Sequence, residues 1–152
     1  MKKTLGMLLA IITLASCNKN EEPIVVTPNE LHMAINKVTE IMIHDIFSPP
    51  VASRIYAYPN IAAYEIIALN DEHYLSLEGQ AHELTAIPKP DTSKPVNYSL
   101  SALIAHMDVS SRVIFSEDKL ATFRDSLYTV WESQNAREFN ASKEYGLQVA
   151  EH

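Results

Sequence analysis

Apolar residues recur three or four positions apart along most of the chain, and proline-containing stretches separate one such run from the next. This spacing places the apolar side chains on one face of an α-helix. The 152 residues include only three glycines, so few positions favour the positive φ that tight β-hairpins require. The pattern predicts an all-α fold, a bundle of about five helices joined by loops.

The first helix boundaries are marked by capping residues. Thr27 precedes Pro28 and Glu30, an arrangement typical of a capped helix start. Ser48, followed by two prolines, is expected to end that helix and to cap the next one.

The second predicted helix, residues 51–69, is apolar on most faces, which predicts burial in a core larger than one small bundle supplies. Pro59 should kink or split it, because the ring clashes with the preceding turn. Arg54 and Glu65 are its charged residues. A buried charge needs a partner, so we expect them to pair with each other or with a later helix, and contact of Arg54 with a substrate is the alternative.

Three further helices are predicted: one over residues 98–115, one capped by Ser116 and one starting near Arg137. Gly146 lies inside the last helix, where we expect it to permit a close helix contact. This helix reaches His152 without a stop signal, which indicates a truncated chain. A frayed terminal helix is the alternative.

A leader is predicted at the N-terminus. Two lysines precede the apolar residues 5–15, a run that suits a signal peptide and is too short to span a bilayer. Residues 14–17 read Leu-Ala-Ser-Cys and resemble a bacterial lipobox, whose cysteine receives diacylglycerol and becomes the new N-terminus. We therefore predict lipidation of Cys17, the only cysteine. A plain secretory leader is the alternative.

These features divide the chain into a signal peptide (1–17), a tether (18–28) and a helical domain (29–152). Asn18, rather than Asp, follows the cysteine and indicates the outer membrane of a bacterial envelope. The acidic pair at 21–22 resembles a surface-export signal, so a position at the cell surface is a further hypothesis.

The charge restricts the partners. Without the two leader lysines the chain has 10 basic and 19 acidic residues, a net charge of −9. This argues against nucleic acid, and against docking on anionic lipid through a charged surface. The membrane is an expected partner only through the lipid on Cys17.

One polar stripe was considered as a metal site. His32, Asn36, Glu40 and His44 recur every four residues along the first helix. A metal site is one interpretation, but a solvated face is the commoner arrangement and neither the zinc-protease nor the di-iron pattern is present. His44-Asp45 and His106-x-Asp108 are not catalytic dyads, because neighbours at these spacings on a helix do not face each other.

Two segments are similar to a known family. Residues 46–65 read Ile-Phe-Ser-Pro-Pro-Val-Ala-Ser-Arg-Ile-Tyr-Ala-Tyr-Pro-Asn-Ile-Ala-Ala-Tyr-Glu, and residues 145–150 read Tyr-Gly-Leu-Gln-Val-Ala. They resemble the N-terminal part of exported proteins of the vanadium-dependent haloperoxidase and type 2 phosphatidic acid phosphatase (PAP2) superfamily. The resemblance covers most of residues 29–152. It implies an all-helical bundle and a site for vanadate or phosphate, served by histidine, lysine and arginine.

The catalytic signatures of that superfamily, Lys-x6-Arg-Pro, Pro-Ser-Gly-His and Ser-Arg-x5-His, do not occur in this chain. The two Ser-Arg pairs are followed at the histidine position by Asn60 and Asp118. We therefore assign no catalytic, cofactor-binding or metal-binding residue. The absence of these signatures fits a chain that ends before the catalytic half of the family's fold. It fits equally a relative that has lost the catalytic residues.

The predicted function is the N-terminal helical scaffold portion of an exported PAP2-type acid phosphatase or haloperoxidase-like protein, inactive by itself. Vanadate would belong to the full-length family, and a phosphoester or halide is a substrate only if the catalytic half is present. The alternative is a non-enzymatic surface lipoprotein that binds a partner or ligand. A half-domain should leave a large apolar face around Ile61 to Leu69, whereas a self-sufficient module should not. The oligomeric state is left open.

Overall fold

The computed structural model describes residues 22–152, which form five α-helices and no β-strand. The prediction of an all-α fold of about five helices is confirmed. Residues 1–21, with the predicted leader and Cys17, lie outside the described part. The helices are α1 (Pro28–His44), α2 (Pro49–Asn70), α3 (Tyr98–Arg112), α4 (Glu117–Gln134) and α5 (Ala136–Glu151).

Helix α3 is the centre of the bundle. All residues from Leu100 to Met107 are buried, whereas a surface helix buries only one stripe. It packs most extensively against α2 and α5. Its small residues belong to one apolar cluster with Ala63 and Ile66 of α2 and Tyr145 of α5. The strongly apolar α2 thus finds its buried partner in α3.

Gly146 sets the spacing between α3 and α5. A Cβ atom there would lie 2.6 Å from the carbonyl oxygen of Ser101 and 3.1 Å from Ile104 Cβ. The two helix backbones approach this closely because position 146 carries no side chain. The prediction that Gly146 permits a close helix contact is confirmed.

The helix caps are partly as predicted. Thr27 Oγ1 accepts a hydrogen bond from the first turn of α1, and the Glu30 carboxylate accepts one from Thr27 N (2.9 Å), which completes the capping box. Ser48 and Ser116 stand at the predicted N-cap positions of α2 and α4, but the side-chain capping hydrogen bond expected of each is not formed. Ser116 Oγ instead donates to Asp45 (2.6 Å).

The charged residues of α2 do not pair as predicted. Arg54 is exposed, so solvent meets its need for a partner. Glu65 is buried, at 2% exposure, and its carboxylate accepts hydrogen bonds from Ser76 Oγ (2.6 Å) and Leu77 N (2.7 Å). The Glu65 carboxylate thus binds the loop after α2 rather than another helix, because hydroxyl and backbone donors of that loop lie within hydrogen-bond distance of it.

The predicted split of α2 at Pro59 is wrong, because the helix runs unbroken from Pro49 to Asn70 with Pro59 buried inside it, and the kink stays a prediction. The predicted burial of α2 on most faces is also wrong, since Tyr58 and Leu69 are 49% and 43% exposed.

The chain before α1 is part of the core. Ile24 is 2% exposed and belongs to an apolar cluster with Trp131 and Phe139. Its backbone N donates to Glu138 Oε2 (2.6 Å), and its carbonyl oxygen accepts from Asn97 Nδ2 (2.8 Å). The predicted tether over 18–28 therefore includes residues that pack as part of the bundle.

Candidate functional site

Helices α1 and α2 enclose the main candidate site. They meet near the loop that joins them, where Thr39 Oγ1 and Tyr56 Oη are 2.8 Å apart and Val38 and Ile55 share a buried cluster. Farther from the loop the helices diverge, and a cavity of about 550 Å³ opens above α3. We call this cavity the α1–α2 groove. It is lined by Val26, Thr27, Pro28, Leu31, Asn60, Ala63, Tyr64, Ile67, Tyr74, Ser99, Ala102 and Leu103.

The lining of the groove is uncharged and mostly apolar. Helix α2 contributes Asn60, Ala63, Tyr64 and Ile67, which are spaced so that they form one stripe. The polar groups of this stripe are engaged within the chain: Tyr64 Oη donates to the carbonyl oxygen of Leu75 (2.8 Å), and Asn60 Nδ2 donates to the preceding turn of α2 (2.7 Å). The groove therefore suits apolar side chains, and its size is that of a ligand site.

Three buried polar atoms have no hydrogen-bond partner among the described residues: His106 Nδ1, Ser110 Oγ and Tyr145 Oη. Burial lowers the pKa of His106 to about 4, which keeps the imidazole neutral at neutral pH. Burial also raises the pKa of Tyr145 to about 12, so its phenol stays protonated. No hydrogen bond joins these three atoms, so the described geometry contains no nucleophile–base pair built from them.

The residues considered as metal ligands do not converge. His32, Asn36, Glu40 and His44 are all exposed on α1. Among residues 22–152, no group of three or more His, Cys, Asp or Glu side chains is arranged to hold a metal ion. The stripe is a solvated face, in which Glu40 Oε2 lies 3.2 Å from Lys37 Nζ.

The described residues do not fit vanadate or phosphate. Such an anion is held by several cationic or N–H groups that converge on one point. Here Arg112 pairs with Asp108 (2.8 Å) and Glu151 (2.7 Å), and Lys94 pairs with Glu144 (2.6 Å). No charged side chain lines the groove. We assign these residues no part in anion chemistry, and the absence of catalytic, cofactor-binding and metal residues stays a prediction.

Sequence reasoning placed the apolar surface but not the groove. The sequence predicts an apolar face around Ile61 to Leu69, and three groove residues, Ala63, Tyr64 and Ile67, lie in that stretch. The sequence did not predict that α1 and the loop at Tyr74 form walls of a groove. No local sequence pattern indicates that two consecutive helices diverge.

Comparisons with known proteins give one informative result. No protein-family model matches the chain, and no curated protein matches it significantly. A crystal structure described as that of the first bacterial vanadium-dependent iodoperoxidase matches with a TM-score of 0.86 and 64% sequence identity. The match covers 87% of this chain and 32% of that chain. This chain is vanadium-haloperoxidase-like.

The resemblance drawn from residues 46–65 and 145–150 is thereby confirmed at the level of sequence and fold. The haloperoxidase-like chain spans about one third of the length of the solved iodoperoxidase chain. Cys17 lies outside the described residues, so its lipidation is not tested. No described helix has both the length and the hydrophobicity needed to cross a bilayer.

Proposed function

We propose that this chain is the N-terminal helical scaffold portion of an exported vanadium-haloperoxidase-like or PAP2-type phosphatase protein. The proposal is supported mainly by the 64% identity over 87% of this chain, which corresponds to 32% of the iodoperoxidase chain. At this identity the helices and their packing are shared, and the site chemistry has to be argued from the residues present.

The residues present supply a framework rather than a reaction centre. Helix α3 is buried along its length, and α2 and α5 pack against it. The cations Arg112 and Lys94 are each paired with carboxylates on the surface, and neither lines the groove. Vanadate, with a halide or phosphoester substrate, is proposed only for a longer protein that supplies the catalytic half.

The first test is the size of the protein in the membrane fraction of the producing cell, by immunoblot against a peptide from residues 89–98. We expect a band well above the 17.0 kDa of the 152 residues. A band at or below 17.0 kDa would instead support a degenerate relative or a binding lipoprotein.

The second test is an activity assay on purified residues 18–152. With vanadate, hydrogen peroxide and iodide, and separately with p-nitrophenyl phosphate, we expect no turnover above buffer. Measurable turnover in either assay would contradict the scaffold proposal, because it would require a reaction centre within these residues.

Export and anchoring are the second part of the proposal. We propose that Cys17 carries lipid and fixes the chain to the outer membrane, with the cell surface as a further hypothesis. Metabolic labelling with an alkyne-modified palmitate should label the wild type and not the Cys17→Ser variant, which should also leave the membrane fraction. Equal labelling of both proteins would exclude Cys17 as the site.

A non-enzymatic surface lipoprotein that binds a partner remains the second candidate. The uncharged α1–α2 groove favours it, since an apolar cavity of about 550 Å³ is of ligand-binding size. The immunoblot separates the two candidates: this one requires the short form to be the native product.

A further inference from the structure

We propose that the α1–α2 groove binds one amphipathic helix from the part of a vanadium-haloperoxidase-like chain that lies outside the region matched here. This inference rests on the proposed function and specifies where the scaffold meets the rest of the protein.

The shape of the groove fits a helix. Its walls are the N-terminal half of α1 and the C-terminal half of α2, with residues such as Leu31 and Ile67, and its floor is α3, with Ala102 and Leu103. Two helices that diverge above a third leave an elongated trough, and an amphipathic helix fills such a trough with side chains spaced three or four residues apart.

The chemistry of the groove also fits a helix. A helix satisfies its own backbone N–H and C=O groups and can present an apolar stripe alone. The lining offers no charge and few free polar groups, since Tyr64 Oη is engaged with Leu75 and Asn60 Nδ2 with the preceding turn of α2. An extended segment or a free anion would leave polar groups unpaired there.

The surroundings of the groove indicate an occupant larger than a small ligand. The loop that follows α2 exposes Tyr74, which lines the groove, and its neighbour Leu75, at 49% and 77%. Apolar surface that extends beyond a cavity marks a protein interface. The neighbouring loop is also held in place, because Glu65 fixes Ser76 and Leu77.

The comparison identifies the source of the helix. About two thirds of the iodoperoxidase chain has no counterpart among the matched residues, while 87% of this chain is matched at 64% identity. In such a protein, the unmatched two thirds would have to pack against this bundle. The uncharged groove, with a volume of about 550 Å³, offers that portion a surface on which to pack.

Site-specific photo-crosslinking in the producing cell tests the proposal. A photoreactive phenylalanine analogue is placed at Tyr64 on one wall, at Leu31 on the other, and at Val130 as a control. Val130 is 51% exposed on α4, away from the groove. We expect the Tyr64 and Leu31 positions to cross-link to the same helical peptide, and Val130 to give no such product. The Leu31 position keeps the test valid if loss of the Tyr64 hydrogen bond disturbs the loop.

The identity of the cross-linked peptide, read by mass spectrometry, decides the outcome. A peptide from the same longer protein, or from a companion chain with sequence similarity to the unmatched part of the iodoperoxidase, supports the proposal. A cross-link to residues 1–21, to a second copy or to any other protein overturns it, as does no cross-link. If the immunoblot shows a long protein but the groove cross-links elsewhere, this inference fails while the proposed function stands.

Discussion

Asp45, at the end of α1, accepts hydrogen bonds from both the backbone N (3.0 Å) and the Oγ (2.6 Å) of Ser116, at the start of α4. Its carboxylate also accepts from Phe115 N (3.0 Å). These hydrogen bonds, that from the Ser116 side chain first, lower the pKa of Asp45. The serine at the N-cap position of α4 is thus bound to an aspartate at the end of another helix, and its own side chain makes no capping hydrogen bond.

We expect Asp45→Ala to lower the melting temperature by roughly 3–6 °C for a domain of this size, because two backbone N–H groups lose their acceptor. Asp125→Ala is the matched control, since Asp125 pairs only with its sequence neighbour Arg124 and should change little. Because the folded pKa of Asp45 is lowered, its contribution is present above the ordinary carboxyl pKa of 3.8 and is lost as the pH falls below it. Equal melting temperatures for both variants would show that the contact does not stabilise the fold.

The close contact at Gly146 gives a second prediction. In Gly146→Ala the new Cβ would meet the Ser101 carbonyl oxygen at 2.6 Å, so α3 and α5 have to separate. We expect a loss of roughly 1–3 kcal/mol in the free energy of unfolding, although alanine favours a helix by about 1 kcal/mol. Urea unfolding measures this, with Asn140→Ala, exposed on the same helix, as the control. An unchanged or higher urea midpoint for Gly146→Ala would mean that the two helices lie farther apart.

His106 makes stability depend on pH. Its pKa is about 4 in the folded chain and 6.5 in the unfolded chain, so the unfolded state binds more protons between these values. Stability is therefore highest above pH 6.5 and falls as the pH approaches 4, by on the order of 3 kcal/mol in total.

Urea unfolding between pH 7 and pH 4.5 should show this slope in the wild type and a shallower one in His106→Met. His32→Met should keep the wild-type slope, because His32 is exposed. Parallel slopes for the wild type and His106→Met would assign the pH dependence to other groups.

The buried carboxylate of Glu65 should control the order of the following loop. In Glu65→Ala, Leu77 N and Ser76 Oγ lose their acceptor, and we expect a loss of roughly 1–3 kcal/mol in stability. Hydrogen exchange at the Leu77 amide should become faster, with Glu65→Gln in between because one acceptor oxygen is kept. Exposed Glu72→Ala is the control, and an unchanged exchange rate in Glu65→Ala would show that the loop is held by other contacts.

Local features of the fold could be predicted from the sequence. The capping box at Thr27 and Glu30 is as expected, because its hydrogen bonds join residues three positions apart. The all-α class follows from apolar spacing alone. Ser48 and Ser116 stand at the predicted N-cap positions without the expected side-chain hydrogen bond. The hydroxyl of Ser116 is bound to the distant Asp45 instead, and sequence spacing carries no sign of such a partner.

The candidate site was less predictable, because it depends on how helices pack. The apolar stretch around Ile61 to Leu69 was visible, but the groove arises from the divergence of α1 and α2. The expected Arg54–Glu65 pairing failed for the same reason: burial of each side chain is decided by the loop and helices packed beside it. The similarity to the solved iodoperoxidase was predictable, because residues 46–65 form a distinctive sequence that can be recognised without knowing how the helices pack.

The docking of Ile24 restricts how the bundle would sit at a membrane. With Ile24 held by Glu138 and Asn97, a lipid on Cys17 would be linked to it through only the six residues 18–23, a reach of at most roughly 25 Å. The end of the bundle where α1, α3 and α5 begin would then face the lipid surface, and the opposite end, with Asp45 and Ser116, would point away from it. A lipid anchor on this chain would therefore set an orientation as well as a location.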